Sequence, residues 1–381
     1  MDLSDSDLEF SLEMYKHLAH MHPASNVMFS PVSILLSLAM LYLGADGSTK
    51  KKLKSSLKLK NSDDDDVHRH FQTLKNSLAV RGTEASLNVT NLLYCNVSVT
   101  LLQPFIDDSR KYDYFKEPNS CDFKSDSNGC RKQINKKVQL RTSSKTQDTI
   151  PAGTLDKDTK ILLLDTFSFS ARWMYNFSAL EIIEAPFYVK ITEKVQTEYM
   201  TGILKLRYQK NEKLNVYIVE LPYMESYELI LLLPIDNDYQ LTALKKLDKN
   251  ALMNLDEKLE KLNVKLKLPK FKLDAHVDMK KILEKLNIIK LFDSKTCDLA
   301  KLSSSQTHVS AFFQRTPFSM EQEGSNADEL EAVDSYNDNP PQITDDYVIF
   351  FANRPFVFLL REVKTRNIIL MGKFMKPNDV L

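Results

Sequence analysis

The sequence predicts a mixed α+β protein that folds as one domain over residues 1–381. Three observations support this class: helical periodicity in the first 80 residues, alternating β-branched segments after residue 214, and no low-complexity segment that divides the chain. With 381 residues, 43% of them hydrophobic, the chain is long enough to bury a large core.

Four segments have the apolar spacing of helices. Residues 4–21 and 66–79 predict amphipathic helices, residues 27–44 a buried helix, and Val277 to Leu286 a shorter amphipathic one. The acidic run Asp63–Asp66 is interpreted as the N-terminal turn of the helix at 66–79. A metal site is not predicted there, because four adjacent aspartates cannot converge on one ion.

Strands are predicted in the second half of the chain. Residues 214–220, 227–233 and 262–268 are rich in β-branched and alternating apolar side chains, and each is closed by a proline. Residues 348–374 are long apolar runs around a turn at Lys364–Asn367, which predicts buried hairpin strands.

The charge balance excludes functions that need a strong global field. Fifty-one basic and 51 acidic residues cancel, so neither nucleic acid nor an anionic membrane is a predicted partner. Four cysteines are too few for a disulfide framework. We favour free thiols, with a Cys121–Cys130 disulfide as the alternative because a turn-rich segment separates the two residues.

The N-terminal region has no cleavable secretory signal, since acidic residues stand where such a signal needs a basic start. This leaves a cytoplasmic location or export without a cleaved signal open, and an extracellular one if the N-terminus is trimmed. The uncharged run from Val27 to Ala45 is about long enough to span a bilayer, but its serines and proline favour a buried helix over an internal export signal.

No motif typical of catalysis, cofactor binding or a metal site is present, and the seven histidines are scattered. We therefore predict that the protein is not an enzyme and needs no cofactor or metal. Residues 50–60 include six lysines. A solvated helix face is the favoured interpretation, and the alternative is a site for a heparin-like polyanion at Lys50, Lys51, Lys52 and Lys54.

The stretch from Glu321 to Asp346 has nine carboxylates and no lysine or arginine, and the strongly apolar tail follows it directly. Such a stretch cannot join the buried core without a large desolvation cost.

Five blocks, in one order along the chain, resemble the serpins. They are NVMFSPVSILLSLAMLYLGADGSTKKKL (Asn26–Leu53), CRKQINKKV (Cys130–Val138), IPAGTLDKDTKILLLDTFSFSARW (Ile150–Trp173), LPKFKL (Leu268–Leu273) and ANRPFVFLLREVKTRNIILMGKFMKP (Ala352–Pro377). The resemblance implies three β-sheets, eight or nine helices and an exposed reactive loop at about 321–346. It also implies a monomer that inhibits a target protease: cleavage lets the loop insert into the main sheet and drags the acylated protease along. The alternative is a non-inhibitory binding, carrier or chaperone-like serpin.

Several residues match, by their position in the chain, the serpin residues that control opening of the main sheet. Ser30 and Ser33 match the two serines of the shutter beneath the main sheet, and Trp173 matches the tryptophan of the breach, where insertion begins. Two shutter positions depart from the family: Asp165 replaces an asparagine and Gln314 a histidine. The glutamine amide can donate to the carboxylate, which would satisfy the pair; otherwise Asp165 points to solvent or is neutralised.

The hinge that precedes the reactive loop also departs from the family. Gln322 replaces a glutamate whose usual partner is the lysine matching Lys270, so a latch would use Glu321 or Glu323. Gly324, Ser325 and Ala327 fit the family's Gly-Thr-Glu-Ala pattern loosely, and the small residues then give way to acidic ones. In the family's register Ser325, Ala327, Glu329, Glu331 and Val333 point inward on insertion, which would bury two carboxylates. The acidic hinge therefore favours the non-inhibitory alternative.

The scissile bond is predicted by counting. The family commonly cleaves fourteen residues after the hinge glycine, which here is the Asp338–Asn339 bond. Counting back from Pro355 places the bond several residues later, because this loop is longer than usual. With no basic residue in the loop, the target protease is not predicted to be trypsin-like.

Overall fold

A computed structural model describes residues 3–59, 62–78, 82–142, 148–175, 177, 180–330 and 346–377. These residues form eight α-helices, and three short 3₁₀ helices lie at Ala243–Lys246, Ile289–Phe292 and Ala327–Glu329. The helices are α1 (Leu3–Met21), α2 (Pro31–Gly44), α3 (Gly47–Ser56), α4 (Asp64–Leu78), α5 (Gln103–Lys111), α6 (Phe123–Thr142), α7 (Lys249–Met253) and α8 (Met279–Lys285).

Fifteen strands accompany these helices in the described part of the chain. They are β1 (Val27–Phe29), β2 (Ala85–Asn96), β3 (Asn119–Cys121), β4 (Ile161–Arg172), β5 (Glu181–Lys190), β6 (Glu193–Asn211), β7 (Val216–Pro222), β8 (Tyr227–Pro234), β9 (Glu260–Pro269), β10 (Phe271–Asp278), β11 (Val309–Met320), β12 (Gly324–Ser325), β13 (Val348–Phe351), β14 (Phe356–Glu362) and β15 (Ile368–Phe374). The mixed α+β class is confirmed.

The described residues form two hydrogen-bonded sheets where three are expected. The nine-stranded sheet runs β1-β15-β14-β8-β7-β6-β9-β13, with β5 also paired to β6. The six-stranded sheet runs β10-β11-β4-β2-β3, with β12 paired to β4. The count differs because β6, 19 residues long, pairs with β7 near its end and with β9 and β5 earlier, which joins two groups of strands.

The buried helix begins four residues later than predicted. Val27–Phe29 form β1 against β15, and α2 starts at Pro31. Proline is favoured at the first helical position and holds the preceding residue extended, as Ser30 is with φ −101° and ψ 104°. Every residue of α2 except Leu43 is buried, so the prediction of a core helix is confirmed from Pro31 onward.

The six-stranded sheet is covered on both faces. Leu163 and Phe167 of β4 belong to the large core that contains α2, whereas Leu162 and Leu164 pack in a second core with Phe123 and the apolar face of α6. Both layers must adjust if the sheet opens to take a new strand, because packed interiors leave few voids.

The favoured interpretation of free thiols at Cys121 and Cys130 is wrong. The two residues form a disulfide that joins the edge strand β3 to α6, whose backbone is kinked at Asp126. The alternative from the sequence is therefore the one observed. Cys95 and Cys297 are free and buried.

Candidate functional site

The six-stranded sheet is open at one end. Parallel pairs between β11 and β4 run from Val309 and Ile161 to Arg315 and Thr166. Beyond them β12 pairs antiparallel with β4, placing Gly324 opposite Arg172 and Ser325 opposite Ala171. The hinge thus occupies the start of the position that an additional central strand would fill.

Glycine is required at position 324 because the backbone of β4 lies very close to it. Its φ is +151°, a conformation that L side chains rarely adopt, and a Cβ there would lie 1.9 Å from the carbonyl oxygen of Ala171. Any side chain would push the hinge off β4. The glycine is therefore what allows the hinge to enter the sheet.

The breach tryptophan holds the hinge directly. Trp173 is buried and stacks on Tyr223 with ring centroids 4.1 Å apart. Its Nε1 donates to the Glu321 carbonyl at 2.8 Å, and its backbone N–H donates to the Glu323 carbonyl at 3.1 Å. The Tyr223 hydroxyl lies 2.5 Å from Ser325 Oγ, so the strand end and the hinge form one hydrogen-bonded unit.

The expected latch between Lys270 and Glu321 or Glu323 is wrong. Lys270 Nζ pairs with Glu198 at 3.1 Å, and Glu321 pairs with Lys272 at 3.1 Å. The Gln322 amide donates instead to the Leu180 carbonyl at 3.2 Å. The reason is register, since Lys270 N–H also bonds the Glu198 carbonyl and so holds the two residues side by side.

After the hinge the chain turns out of the sheet. Asn326 has a left-handed φ of 44°, its N–H donates to Ser319 Oγ, and its amide donates to the Phe169 carbonyl. Ser325 and Ala327 are buried, whereas Asp328 is exposed. Glu331, Val333, Asp338 and Asn339 lie outside the described residues, so the predicted scissile bond stays a prediction.

The shutter carboxylate of Asp165 is completely buried. Its Oδ1 accepts from Ser37 Oγ at 2.5 Å and from Asn91 Nδ2 at 2.7 Å, whereas Oδ2 has no partner among the described residues. Burial raises the pKa of Asp165 to about 7, although the hydrogen bonds from Ser37 and Asn91 oppose the rise. Of the two alternatives to pairing with Gln314, neutralisation fits, and exposure to solvent is excluded.

The Gln314 amide does not donate a hydrogen bond to the Asp165 carboxylate as the sequence predicts. The two residues are directly opposite in the β11–β4 register, but the Gln314 amide donates to the Ser30 carbonyl and accepts the Ser30 N–H, each at 2.9 Å. Hydrogen bonds thereby connect each strand separately to the region of α2. Gln314 connects β11 to Ser30, and Asp165 connects β4 to Ser37. Both connections lie at the boundary between β4 and β11, where the two strands would separate to admit a new strand.

Two residues that hydrogen-bond to Asp165, Ser37 and Asn91, are not predicted from the sequence. Ser37 lies one helical turn after Ser33 on α2, and Asn91 is opposite Asp165 on β2. The Asn91 amide also donates to the Ser33 carbonyl at 2.8 Å. The four-residue spacing of the serines was the available signal for Ser37; no local pattern marked Asn91.

The four lysines of the candidate polyanion site, Lys50, Lys51, Lys52 and Lys54, lie on α3. Lys50 pairs with Asp64 at 2.6 Å, and Lys54 lies 3.8 Å from the same carboxylate and donates to the Ser62 carbonyl. Lys51 and Lys52 are exposed. The polyanion site stays a prediction, and two of its four lysines already have partners within the protein.

Among the described residues no group of histidine, cysteine or acidic side chains is arranged to hold a metal ion. In the same part of the chain, no helix has the length and hydropathy needed to cross a bilayer.

Comparison with known proteins agrees with this geometry. The family model described as Serpin (serine protease inhibitor) matches residues 5–377. Serpin B5 of Rattus norvegicus is 30% identical over 378 residues, covering 97% of each chain. Leukocyte elastase inhibitor of Homo sapiens is 28% identical over 384 residues, covering 98% of this chain and 99% of that one. The crystal structure of maspin is 27% identical, covers 98% of both chains and has a TM-score of 0.87. The chain belongs to the serpin family.

Proposed function

We propose that this serpin is a suicide-substrate inhibitor of serine or cysteine endopeptidases, acting by loop cleavage and insertion into the six-stranded sheet. The main support is the pairing of Gly324 and Ser325 with β4. These two residues already lie beside β4, where the first residues of an inserted strand would lie. The protease inhibitors among its relatives support it as well.

The chemistry belongs to the target protease. Its nucleophile attacks the carbonyl carbon of the scissile peptide bond. The C–N bond breaks, and the new amino terminus takes a proton from the protease's general acid. The loop is then an acyl-enzyme ester or thioester. If it inserts between β4 and β11 before water attacks that bond, the protease is carried along and its active site is distorted.

The acidic hinge decides the outcome of this competition. Each ~1.4 kcal/mol added to the insertion barrier slows insertion about tenfold. Glu329 and Glu331 are the inward positions of the family register, and burying a carboxylate costs a few kcal/mol even after protonation. A non-inhibitory binding, carrier or chaperone-like role is the second candidate, and these acids are the observation that favours it.

The first expected result concerns the class of protease that forms a covalent complex with the loop. Because no basic residue lies between 321 and 346, trypsin should form no covalent complex at this loop, whereas an Asp-cleaving enzyme of the caspase or granzyme type should form one after cutting Asp338–Asn339. Gel electrophoresis under denaturing conditions and N-terminal sequencing of the released fragment measure both. A new N-terminus other than Asn339 contradicts the site, and a trypsin complex contradicts the class.

The hinge acids give a second expected result. Glu329→Ala combined with Glu331→Ala should increase the ratio of covalent complex to cleaved product at least tenfold, with the cut unmoved, because two buried charges are removed from the inserting strand. The matched control is Asp345→Ala with Asp346→Ala, which removes two charges beyond the predicted scissile bond. An unchanged ratio in the hinge variant, or an equal increase in the control, argues against this role.

A further inference from the structure

A second feature lies outside the sheet-opening site. An open groove of about 1070 Å³ is bounded by the C-terminal half of α1, the β5–β6 turn, the loop that precedes Ala243–Lys246, and the end of β15. Its lining combines apolar side chains, Tyr15, Ala19, Val189, Leu241 and Met375 among them, with five lysines. Grooves of this size hold drug-sized organic molecules.

The floor of the groove holds a buried cation. Lys373 is 3% exposed, and its Nζ donates to the backbone carbonyls of His22 at 2.6 Å and Pro23 at 3.1 Å. No carboxylate in the described part of the chain forms an ion pair with Lys373 or with Lys245, which also lines the groove. Buried ammonium groups are normally paired with an anion.

The carboxylates of the groove are engaged elsewhere. Glu193 binds Lys190 at 3.1 Å and Lys376 at 3.3 Å, and Asp238 accepts the N–H of Gln240 at 3.2 Å. Burial, reinforced by the charge of Lys245, lowers the pKa of Lys373 to about 8. Positive charge therefore outweighs negative charge where the groove meets Lys373 and Lys245.

The loop beside these lysines is also held in an unfavourable conformation. Leu241 is buried with a left-handed φ of 55°. Residues other than glycine rarely adopt this region, because the side chain then crowds the backbone. Such outliers concentrate at sites where the surrounding structure shapes a ligand-binding surface.

We propose that this groove binds an amphipathic organic anion, whose charged group lies near Lys373 and Lys245 and whose apolar body packs against the wall formed by α1 and Leu241. The charged group is a carboxylate or sulfonate, since a buried ammonium and a second lysine favour a compact anion. The apolar side chains of the lining favour a ligand with an apolar body over a fully polar one such as inorganic phosphate.

The test compares two dyes that differ by one charge. 8-Anilino-1-naphthalenesulfonate has the sulfonate, and N-phenyl-1-naphthylamine has the same rings without it. Fluorescence titration of the intact protein should give one site for the sulfonate dye, bound at least tenfold more tightly than the neutral dye. Equal affinities, or no binding of the sulfonate dye, overturn the proposal.

Variants locate the dye. Lys245→Met should weaken the sulfonate dye about tenfold and leave the neutral dye unchanged, because the lysine is exposed and its loss removes charge only. Ala19→Phe should weaken both dyes by filling the groove. Lys295→Met is the control, exposed and outside the groove. If Lys245→Met has no effect, if Lys295→Met has the same effect, or if Ala19→Phe leaves binding intact, the anion site is not this groove.

Discussion

Cleavage of the reactive loop is expected to raise the melting temperature of this serpin by about 20 °C. An inserted strand would form backbone hydrogen bonds with both β4 and β11, on the order of a dozen in total at ~0.5–1.5 kcal/mol each. Each kcal/mol raises the melting temperature of a domain this large by roughly 2 °C. Calorimetry of the intact and the cleaved protein measures the difference.

The control for this experiment is a hinge that cannot enter the sheet. Ser325 is completely buried against Tyr223, so Ser325→Arg would place a long charged side chain where no space exists. The cleaved Ser325→Arg protein should melt near the temperature of its intact form. If the cleaved wild-type protein also gains nothing, the loop does not insert and the non-inhibitory role is the better one.

The second large effect is expected at the shutter. Asp165→Asn should stabilise the protein at pH 8 by up to about 4 kcal/mol, because a pKa raised from 3.8 to about 7 corresponds to roughly 3 units at ~1.4 kcal/mol each. Asparagine keeps the shape and the acceptor for Ser37 while it removes the buried charge. The midpoint of urea unfolding at several pH values measures the gain.

The pH window follows from the direction of the shift. Between about pH 4 and 7 the folded protein holds a proton on Asp165 that the unfolded chain has lost, so the stability of the wild-type protein falls as the pH rises through this range. Below pH 4 the carboxyl is neutral in both states, and the two proteins should differ little. Asp328→Asn, at an exposed position, should show no such window. An Asp165→Asn gain that is independent of pH would contradict a buried ionising carboxylate.

Features that depend on a single segment could be predicted from the amino-acid sequence. Apolar periodicity predicted α1 and α4 nearly to their ends, because a surface helix must place its apolar side chains on one face. The resemblance to the serpins predicted that Gly324, Trp173, Asp165 and Gln314 lie at the sheet opening, since each position is identified from its neighbours along the chain. The predicted helix at 27–44 was wrong for residues 27–30, because Val27–Phe29 pair with β15 and α2 begins at Pro31.

Which side chains contact one another depends on the three-dimensional fold. Asp165 finds Ser37 and Asn91, residues 128 and 74 positions away, and Gln314 binds Ser30 across 284 positions. Lys270 pairs with Glu198 and not with the hinge, and Cys121 bonds Cys130 because a kinked helix returns to the sheet edge. Spacing along the chain records which face a residue shares with its neighbours, whereas hydrogen-bond partners, burial and the pKa of Asp165 depend on how sheets and helices pack against one another.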